Sequence, residues 1–343
     1  MSAATGGDAL KLSFYFGEHD RHKGRFLSEA VLDLFERREL AAGVLLRGAE
    51  GFGARRFLQA DRLLSLSEDL PLLATAVDRR ERIEPVAAEV AEIASGGLLT
   101  LERARFAGAA HGPLDEPHDE VKLTVYAGRR ARRSGAPAHV AVVAALHRHG
   151  VAGATALVGV DGAASGRRLR ARFFSFNGWV PTIVVAVGER ARIATALAEL
   201  ESEDEPPLAT LEAVRVCRRD GAELAGPPPM PNGDATGRGP WTKLGVYCSE
   251  GSEHGGRSLY IELVRRLRAE GAAGATALRG VWGYHGDHAP HGDRLLALRR
   301  RVPIAITVVD TPERSRRWYE IAAELTGETG LVTAETVPVA RVC

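Results

Sequence analysis

The pattern of apolar and polar positions occurs three times along the 343 residues. Each copy opens with a short apolar run typical of a strand, at residues 12–16, 123–127 and 244–248. Apolar residues spaced four apart then predict a helix, as at Leu27, Val31 and Phe35. A second strand, a polar segment, a very apolar third strand, a second helix and a fourth strand complete each copy. The predicted order is therefore β-α-β-β-α-β, three times over.

The starts of the second helices carry their own signals. Asp78 precedes Glu81 by three residues, which is the spacing of a capping box, and Thr311-Pro312 places proline in a first helical turn. The sequence thus predicts helix starts just after the third strand in copies one and three.

Lysine, glycine and proline positions confirm that the copies are in register. A lysine directly precedes each predicted first strand, at Lys11, Lys122 and Lys243. Glycines stand 13, 37 and 40 residues after each lysine: Gly24, Gly135 and Gly256, then Gly48, Gly159 and Gly280, then Gly51, Gly162 and Gly283. A proline opens each third strand, at Pro71, Pro181 and Pro303. Such fixed internal spacing indicates a tandem repeat.

The predicted fold class is α+β, because β-α-β-β-α-β is the order of a ferredoxin-like unit. Right-handed crossovers place both helices on one face of a four-stranded antiparallel sheet and leave the other face uncovered. Apolar residues on that face need a second layer. We therefore expect three ferredoxin-like units packed as an intrachain pseudo-trimer, each covering the others.

The predicted domains follow the repeats. They are repeat 1 at 10–106, a linker at 107–119, a divergent repeat 2 at 120–218, a Pro/Gly-rich linker at 219–240 and repeat 3 at 241–343. The linkers are polar and contain prolines, including Pro227, Pro228 and Pro229, so we interpret them as spacers.

Composition narrows the function classes. The chain has 45 Lys and Arg against 44 Asp and Glu, a net charge of +1, which offers no basic field for nucleic acid. No stretch approaches the ~20 apolar residues of a membrane span, and the N-terminus has no signal-peptide core, so we expect a protein that is not membrane-embedded. Three cysteines without metal-type spacing favour the cytoplasm.

Motifs in copy one resemble the domain-of-unknown-function family 190, whose members are similar to PII signalling proteins. The motifs are residues 17–24 (GEHDRHKG), 46–53 (LRGAEGFG) and 66–71 (LSEDLP), and copy three repeats the second as GATALRG at 274–280. The resemblance covers nearly the whole chain in three copies. It implies a ferredoxin-like fold, trimeric assembly, clefts between units that hold adenine nucleotides in PII relatives, and a long loop that contacts a partner protein.

Copy two departs from these motifs. It has Arg129 and Arg130 where copy one has Glu18 and His19, and Val158 where copy one has Arg47. Its glycine segment also lacks the Phe-Gly pair. We therefore expect one or two competent clefts and at least one degenerate copy.

The candidate ligand-binding residues lie where the second strand ends. Glycines there allow backbone N–H groups to converge on an anion, and arginine adds bidentate contacts. The plain alternative is a strand-to-loop turn that needs small residues. The candidates are Arg47, Gly48, Gly51, Phe52 and Gly53 in copy one, and Arg279, Gly280 and Gly283 in copy three. No Walker or Rossmann motif is present.

Three histidines at three-residue spacing, His285, His288 and His291, offer a weaker alternative, a metal site in a loop. Polar loop filling is the favoured interpretation, and we expect no metal. No catalytic motif is present. Glu18, His19 and Asp20 are interpreted as helix-capping or inter-unit residues, and Cys217 and Cys248 as packed strand residues.

We therefore expect a regulator and not an enzyme. It would bind a small anionic ligand, an adenine nucleotide being one candidate, and present loops at 52–70 and 284–302 to a partner protein. Two alternatives stay open. One is a metal-binding protein like the trimeric CutA proteins of the same fold, and the other is a scaffold or transport accessory that needs no ligand.

Overall fold

The computed structural model describes residues 8–53, 59–60, 70–107, 119–164, 167–168, 181–202, 207–227, 240–286, 289–292 and 302–342. Repeat 1 contains β1 (Asp8–Gly17), β2 (Arg21–His22), β3 (Arg25–Phe26), α1 (Leu27–Arg37), β4 (Ala42–Arg47), β5 (Glu50–Phe52), β6 (Gln59–Ala60), β7 (Pro71–Arg79), α2 (Arg80–Ile93) and β8 (Leu98–Phe106).

Repeat 2 contains β9 (Glu120–Gly128), β10 (Arg132–Arg133), β11 (Ala136–Pro137), α3 (Ala138–Arg148), β12 (Gly153–Val158), β13 (Asp161–Ala164), β14 (Arg167–Arg168), β15 (Pro181–Glu189), α4 (Arg190–Glu201), β16 (Leu208–Ala213), β17 (Arg215–Arg219) and β18 (Ala222–Glu223). The first residues of the predicted second linker therefore belong to a hairpin, because β18 pairs with β17.

Repeat 3 contains β19 (Pro240–Ser249), β20 (Glu253–His254), β21 (Arg257–Ser258), α5 (Leu259–Ala269), β22 (Ala275–Arg279), β23 (Trp282–His285), β24 (His291–Gly292), β25 (Pro303–Asp310), α6 (Pro312–Thr326) and β26 (Leu331–Val342). None of the six helices in these described ranges is long and apolar enough to cross a membrane.

Each repeat builds the same four-stranded antiparallel sheet. The strand orders are β4-β7-β1-β8, β12-β15-β9-β16 and β22-β25-β19-β26. The glycines that stand 13 residues after each lysine lie in the turn that precedes each first helix, and the backbone conformation of that turn explains why glycine recurs there. Gly24, Gly135 and Gly256 have φ of 83°, 78° and 77°, a region in which side chains with a Cβ are strained.

Three hydrophobic cores lie between the helices and the sheets, one in each repeat. In repeat 1, alternate residues of β1 (Leu10, Leu12, Phe14) pack against Val31 and Phe35 of α1. The equivalent cores of repeats 2 and 3 contain residues of α3 and α4 and of α5 and α6. Apolar residues at alternate positions of each strand form these cores, because successive side chains point to opposite faces of the sheet.

The opposite sheet faces pack against other repeats. One buried cluster joins Val44 and Leu73 of repeat 1 to Leu157 and Ile183 of repeat 2 and to Leu278 of repeat 3. A second joins repeats 2 and 3, and a third joins repeats 3 and 1. The apolar residues on the second face of each sheet are therefore covered by the same chain.

The helix start at Thr311-Pro312 is confirmed, with Thr311 as the N-cap residue of α6. The capping box predicted at Asp78 is wrong. Helix α2 begins two residues later, and its N-cap residue Arg79 makes no side-chain capping bond. The Asp78 carboxylate instead accepts hydrogen bonds from the backbone N–H of Ala41 (3.0 Å) and Arg79 (2.7 Å), which ties the end of β7 to the start of β4.

Candidate functional site

Six buried charged residues form what we call the charge ring, where the three repeats meet. Its members are Lys11, Lys122, Lys243, Glu102, Glu212 and Glu335. Each lysine lies in the first strand of its repeat, directly opposite the glutamate of the last strand. The first and last strands are arranged alike in all three repeats, and together they place three ammonium and three carboxylate groups close to one another.

Contacts in the charge ring cross from repeat to repeat. Lys11 Nζ lies 2.7 Å from Glu102 Oε2 and 2.5 Å from Glu212 Oε2. Lys122 Nζ lies 2.9 Å from Glu212 Oε2 and 2.5 Å from Glu335 Oε2. Lys243 Nζ of repeat 3 lies 2.9 Å from Glu102 Oε2 of repeat 1. All three pairs of neighbouring repeats are thus bridged by buried ion pairs.

Mutual attraction shifts the pKa values of Glu102 and Lys122 in the charge ring toward their charged forms. Burial by itself would raise the pKa of Glu102, but Lys11 and Lys243 outweigh it and hold that pKa well below its ordinary value. Burial would lower the pKa of Lys122, but Glu212 and the other carboxylates raise it. Three positive and three negative charges therefore compensate one another inside the protein.

The carboxylates of the charge ring have oxygens within 4.8 Å of one another, which is a spacing that metal ligands adopt. Lysine ammonium groups lie 2.5–2.9 Å from these oxygens. The compensating cations are thus part of the chain, and the geometry supports a structural role.

A second set of contacts joins the repeats through short strands, which we call the seams. Strand β5 of repeat 1 pairs with β22 of repeat 3, β13 of repeat 2 pairs with β4 of repeat 1, and β23 of repeat 3 pairs with β12 of repeat 2. Each repeat therefore extends the sheet of another in cyclic order. The predicted ligand-binding glycines lie at these seams.

Close backbone approach explains the seam glycines. A Cβ on Gly51 would lie 2.4 Å from the carbonyl oxygen of Ala275, and one on Gly283 would lie 2.2 Å from that of Ala154. The N–H of Gly48 donates to Pro71 O at 2.8 Å. The structure thus favours the plain alternative for Gly48 and Gly51, a turn that needs small residues. Gly280 is equally crowded, with Pro303 Cγ at 2.8 Å from its would-be Cβ, whereas Gly53 is open.

The seams also exchange core residues. Phe52 is 2% exposed and packs in the core of repeat 3, against residues that include Leu263 and Ala275. Tyr284 packs in the core of repeat 2, and its hydroxyl donates to Val151 O at 2.8 Å. Phe52, which the sequence placed in a ligand site, is therefore buried as an anchor between repeats.

The arginine candidates lie beside the seams, where each second strand ends. Arg47 Nε and Nη2 donate to Glu18 Oε2 at 3.2 and 2.8 Å, and the two side chains are 43% and 31% exposed. Arg279 Nη2 lies 2.8 Å from Glu250 Oε1 and 3.5 Å from the Tyr260 hydroxyl. Both guanidinium groups reach solvent, as an anion site requires.

Comparison with known proteins accounts for the threefold pattern. A single family model, DUF190, described as "Uncharacterized ACR", matches residues 9–106, 120–216 and 241–339. The chain belongs to the DUF190 family. A UPF0166 protein of Aquifex aeolicus is 31% identical over 97 residues, which are 28% of this chain and 90% of that protein. A UPF0166 protein of Methanocaldococcus jannaschii is 29% identical over 89 residues, 26% of this chain and 82% of that protein.

The lengths of these relatives are informative. A match of 97 residues covers 90% of the Aquifex protein, so that protein is little longer than one DUF190 repeat. The present chain joins in one polypeptide three copies of what these two relatives carry once.

The second DUF190 repeat lacks the arginine–glutamate pair. Arg129 stands where repeats 1 and 3 have Glu18 and Glu250, and Val158 stands where they have Arg47 and Arg279. Both partners have changed together. An arginine at 158 would face another arginine instead of a carboxylate, so the double change avoids two like charges at one place.

A small, mostly apolar cavity lies beside the seam of repeats 2 and 3 and is bounded by Val187, Tyr247, Cys248 and Tyr284. Neither candidate arginine lines it. Its apolar wall makes it unsuited to an anion.

The histidine and cysteine candidates are only partly placed. His285 Nδ1 lies 3.5 Å from Asp220 Oδ1, and His291 Nδ1 lies 3.0 Å from Ala289 O, while His288 is outside the described residues. The prediction that Cys217 and Cys248 are packed is confirmed, since both are buried. Burial raises the pKa of each thiol to about 12, which keeps both in the unreactive form.

Sequence reasoning missed the charge ring. The signal was present, because a lysine recurs in each first strand and Thr-x-Glu recurs in each last strand, as at Thr100 and Glu102. A charge that recurs at the same place in three otherwise apolar strands indicates a buried partner of opposite charge.

Proposed function

We propose that this DUF190 protein is a PII-like regulator that binds a small anionic ligand between its repeats. In this proposal, units 10–106, 120–218 and 241–343 are ferredoxin-like and pack as an intrachain pseudo-trimer. The strand order β4-β7-β1-β8, with α1 and α2 sharing one core, supports the unit fold. The cyclic seams and the charge ring support the packing.

The observation that carries the ligand proposal is the position of Arg47 and Arg279. Each ends a second strand beside a seam, each is partly exposed, and each precedes a segment that the resemblance assigns to partner binding. Guanidinium groups offer planar paired donors that suit phosphate and carboxylate. An adenine nucleotide is the candidate ligand, and segments 52–70 and 284–302 are the candidate partner surfaces.

Calorimetric titration tests the proposal. ATP, ADP, AMP and cyclic AMP are added in turn to the wild-type protein and to the double variant Arg47→Ala with Arg279→Ala. We expect at least one nucleotide to bind the wild type and to bind the double variant about tenfold or more weakly.

Arg80→Ala is the matched control. Arg80 is also an exposed arginine paired with a carboxylate, Glu84, but it lies on α2. It should leave the affinity unchanged. No heat with any nucleotide would remove the nucleotide proposal, and a partner captured equally well without small molecules would favour the scaffold alternative.

A further inference from the structure

One residue, Glu18, contacts both ends of the polar segment in repeat 1. The Glu18 N–H donates to Leu70 O at 2.9 Å, where the chain returns to the sheet, and the Glu18 carboxylate accepts from Arg47, where the chain leaves it. We call Glu18, Arg47 and Leu70 the loop base of repeat 1. Backbone and side chain of a single residue thus join its two ends.

Repeat 3 has the same arrangement. The Glu250 N–H donates to Val302 O at 2.8 Å, and the Glu250 carboxylate lies 2.8 Å from Arg279 Nη2. Glu250, Arg279 and Val302 form the loop base of repeat 3. The recurrence at the same positions indicates a built contact, and the absence of both partners in repeat 2 indicates that they act as a unit.

A carboxylate and an anionic ligand compete for the same guanidinium donors. Glu18 accepts from both Arg47 Nε and Nη2, the edge that a phosphate would use for a bidentate contact. The pair is partly exposed, and pairs of this kind are weak, so a ligand with more negative charge is able to replace the carboxylate. The Glu250 side chain is more buried, at 14%, so its pair resists replacement more strongly.

We infer that Glu18 and Glu250 are internal competitors that occupy Arg47 and Arg279 until a phosphate-bearing ligand displaces them. The inference rests on the proposed function, because it concerns the same two arginines. It specifies two binding sites in each chain, at the loop bases of repeats 1 and 3. It also couples two events, because a ligand that binds the arginine breaks the contact between that arginine and the glutamate of the loop base.

The test measures ATP binding by calorimetry for the wild type, Glu18→Gln, Glu250→Gln and the variant with both changes. Glutamine keeps the size of the side chain and removes its charge. We expect two sites in the wild type, with each single change tightening one of them about three- to tenfold. The larger gain should come from Glu250→Gln, because its carboxylate is the more buried competitor.

Glu84→Gln is the matched control, since Glu84 is an exposed carboxylate paired with an arginine away from both loop bases. It should not change either affinity. Urea unfolding of each variant confirms that the fold is retained.

Failure of the inference and failure of the proposed function give different results. ATP binding to the wild type that the glutamine variants leave unchanged or weaken would overturn the competitor role and leave the proposed function standing. Three equivalent sites in the wild type would also overturn it. Absence of binding to both the wild type and the double glutamine variant would overturn both.

Discussion

The charge ring and the loop bases are both built from ion pairs, yet the three repeats treat them differently. The charge ring keeps its lysine and its glutamate in every repeat, and all six side chains are at most 10% exposed. The loop bases keep their pair in repeats 1 and 3 and lose both members in repeat 2.

Burial explains the difference. A buried charge that loses its partner is left in a medium that solvates it poorly, so no repeat is able to drop its share of the charge ring. In a partly exposed pair, water can solvate either charge when its partner is missing. The loss of the pair from one repeat therefore costs little stability. The constant region therefore points to assembly, and the variable region is the one where we propose that a ligand binds.

The largest expected effect comes from breaking the charge ring. Lys122→Met leaves Glu212 and Glu335 with one ammonium group fewer, and we expect the free energy of unfolding to fall by about 3–5 kcal/mol. Urea unfolding followed by circular dichroism measures it. Arg47→Ala, at a loop base, should cost about 0–1 kcal/mol. Equal losses at the two positions would contradict the comparison.

A seam glycine should give an intermediate effect. Gly51→Ala places a methyl group 2.4 Å from the Ala275 carbonyl oxygen, so the two strands must separate. We expect a loss of about 1–3 kcal/mol in the free energy of unfolding. Gly53→Ala is the control two residues away, where a Cβ meets nothing within 4 Å. A neutral Gly51→Ala would show that the β5–β22 seam does not form as described.

Mild acid should give the smallest effect and should act on the charge ring. Lysines hold the pKa values of Glu102 and Glu335 below their ordinary value of 4.5 despite burial. A carboxyl group whose pKa is lower in the folded state stabilises the fold above its unfolded pKa and loses this contribution as pH falls through the folded value.

The urea midpoint should therefore hold between pH 7 and 5 and fall below about pH 4.5. In a variant with Glu335→Gln, the fall between pH 5 and pH 3 should be smaller. A midpoint that rises on acidification would show that these carboxylates are not stabilised by the lysines.

Repetition made much of this protein predictable. The alternation of apolar residues predicted the strands and helices of each repeat, because burial of one face imposes a period of two or 3.6 residues. The fixed glycines at 24, 135 and 256 were predictable for a different reason, since a turn with positive φ excludes most other residues. The arginines 47 and 279 were found as candidates from their charge beside a glycine.

The sequence by itself determined three copies of one α+β unit and their family, because local periodicity and internal spacing are written along the chain. Only the tertiary structure decided which residues meet across the repeats. Phe52 lies in another repeat's core, Lys122 contacts Glu335 at a distance of 213 positions, and Glu18 contacts Arg47 across a loop base. Such contacts depend on how whole sheets dock, and docking is set by the shape and charge of assembled surfaces that no local pattern contains.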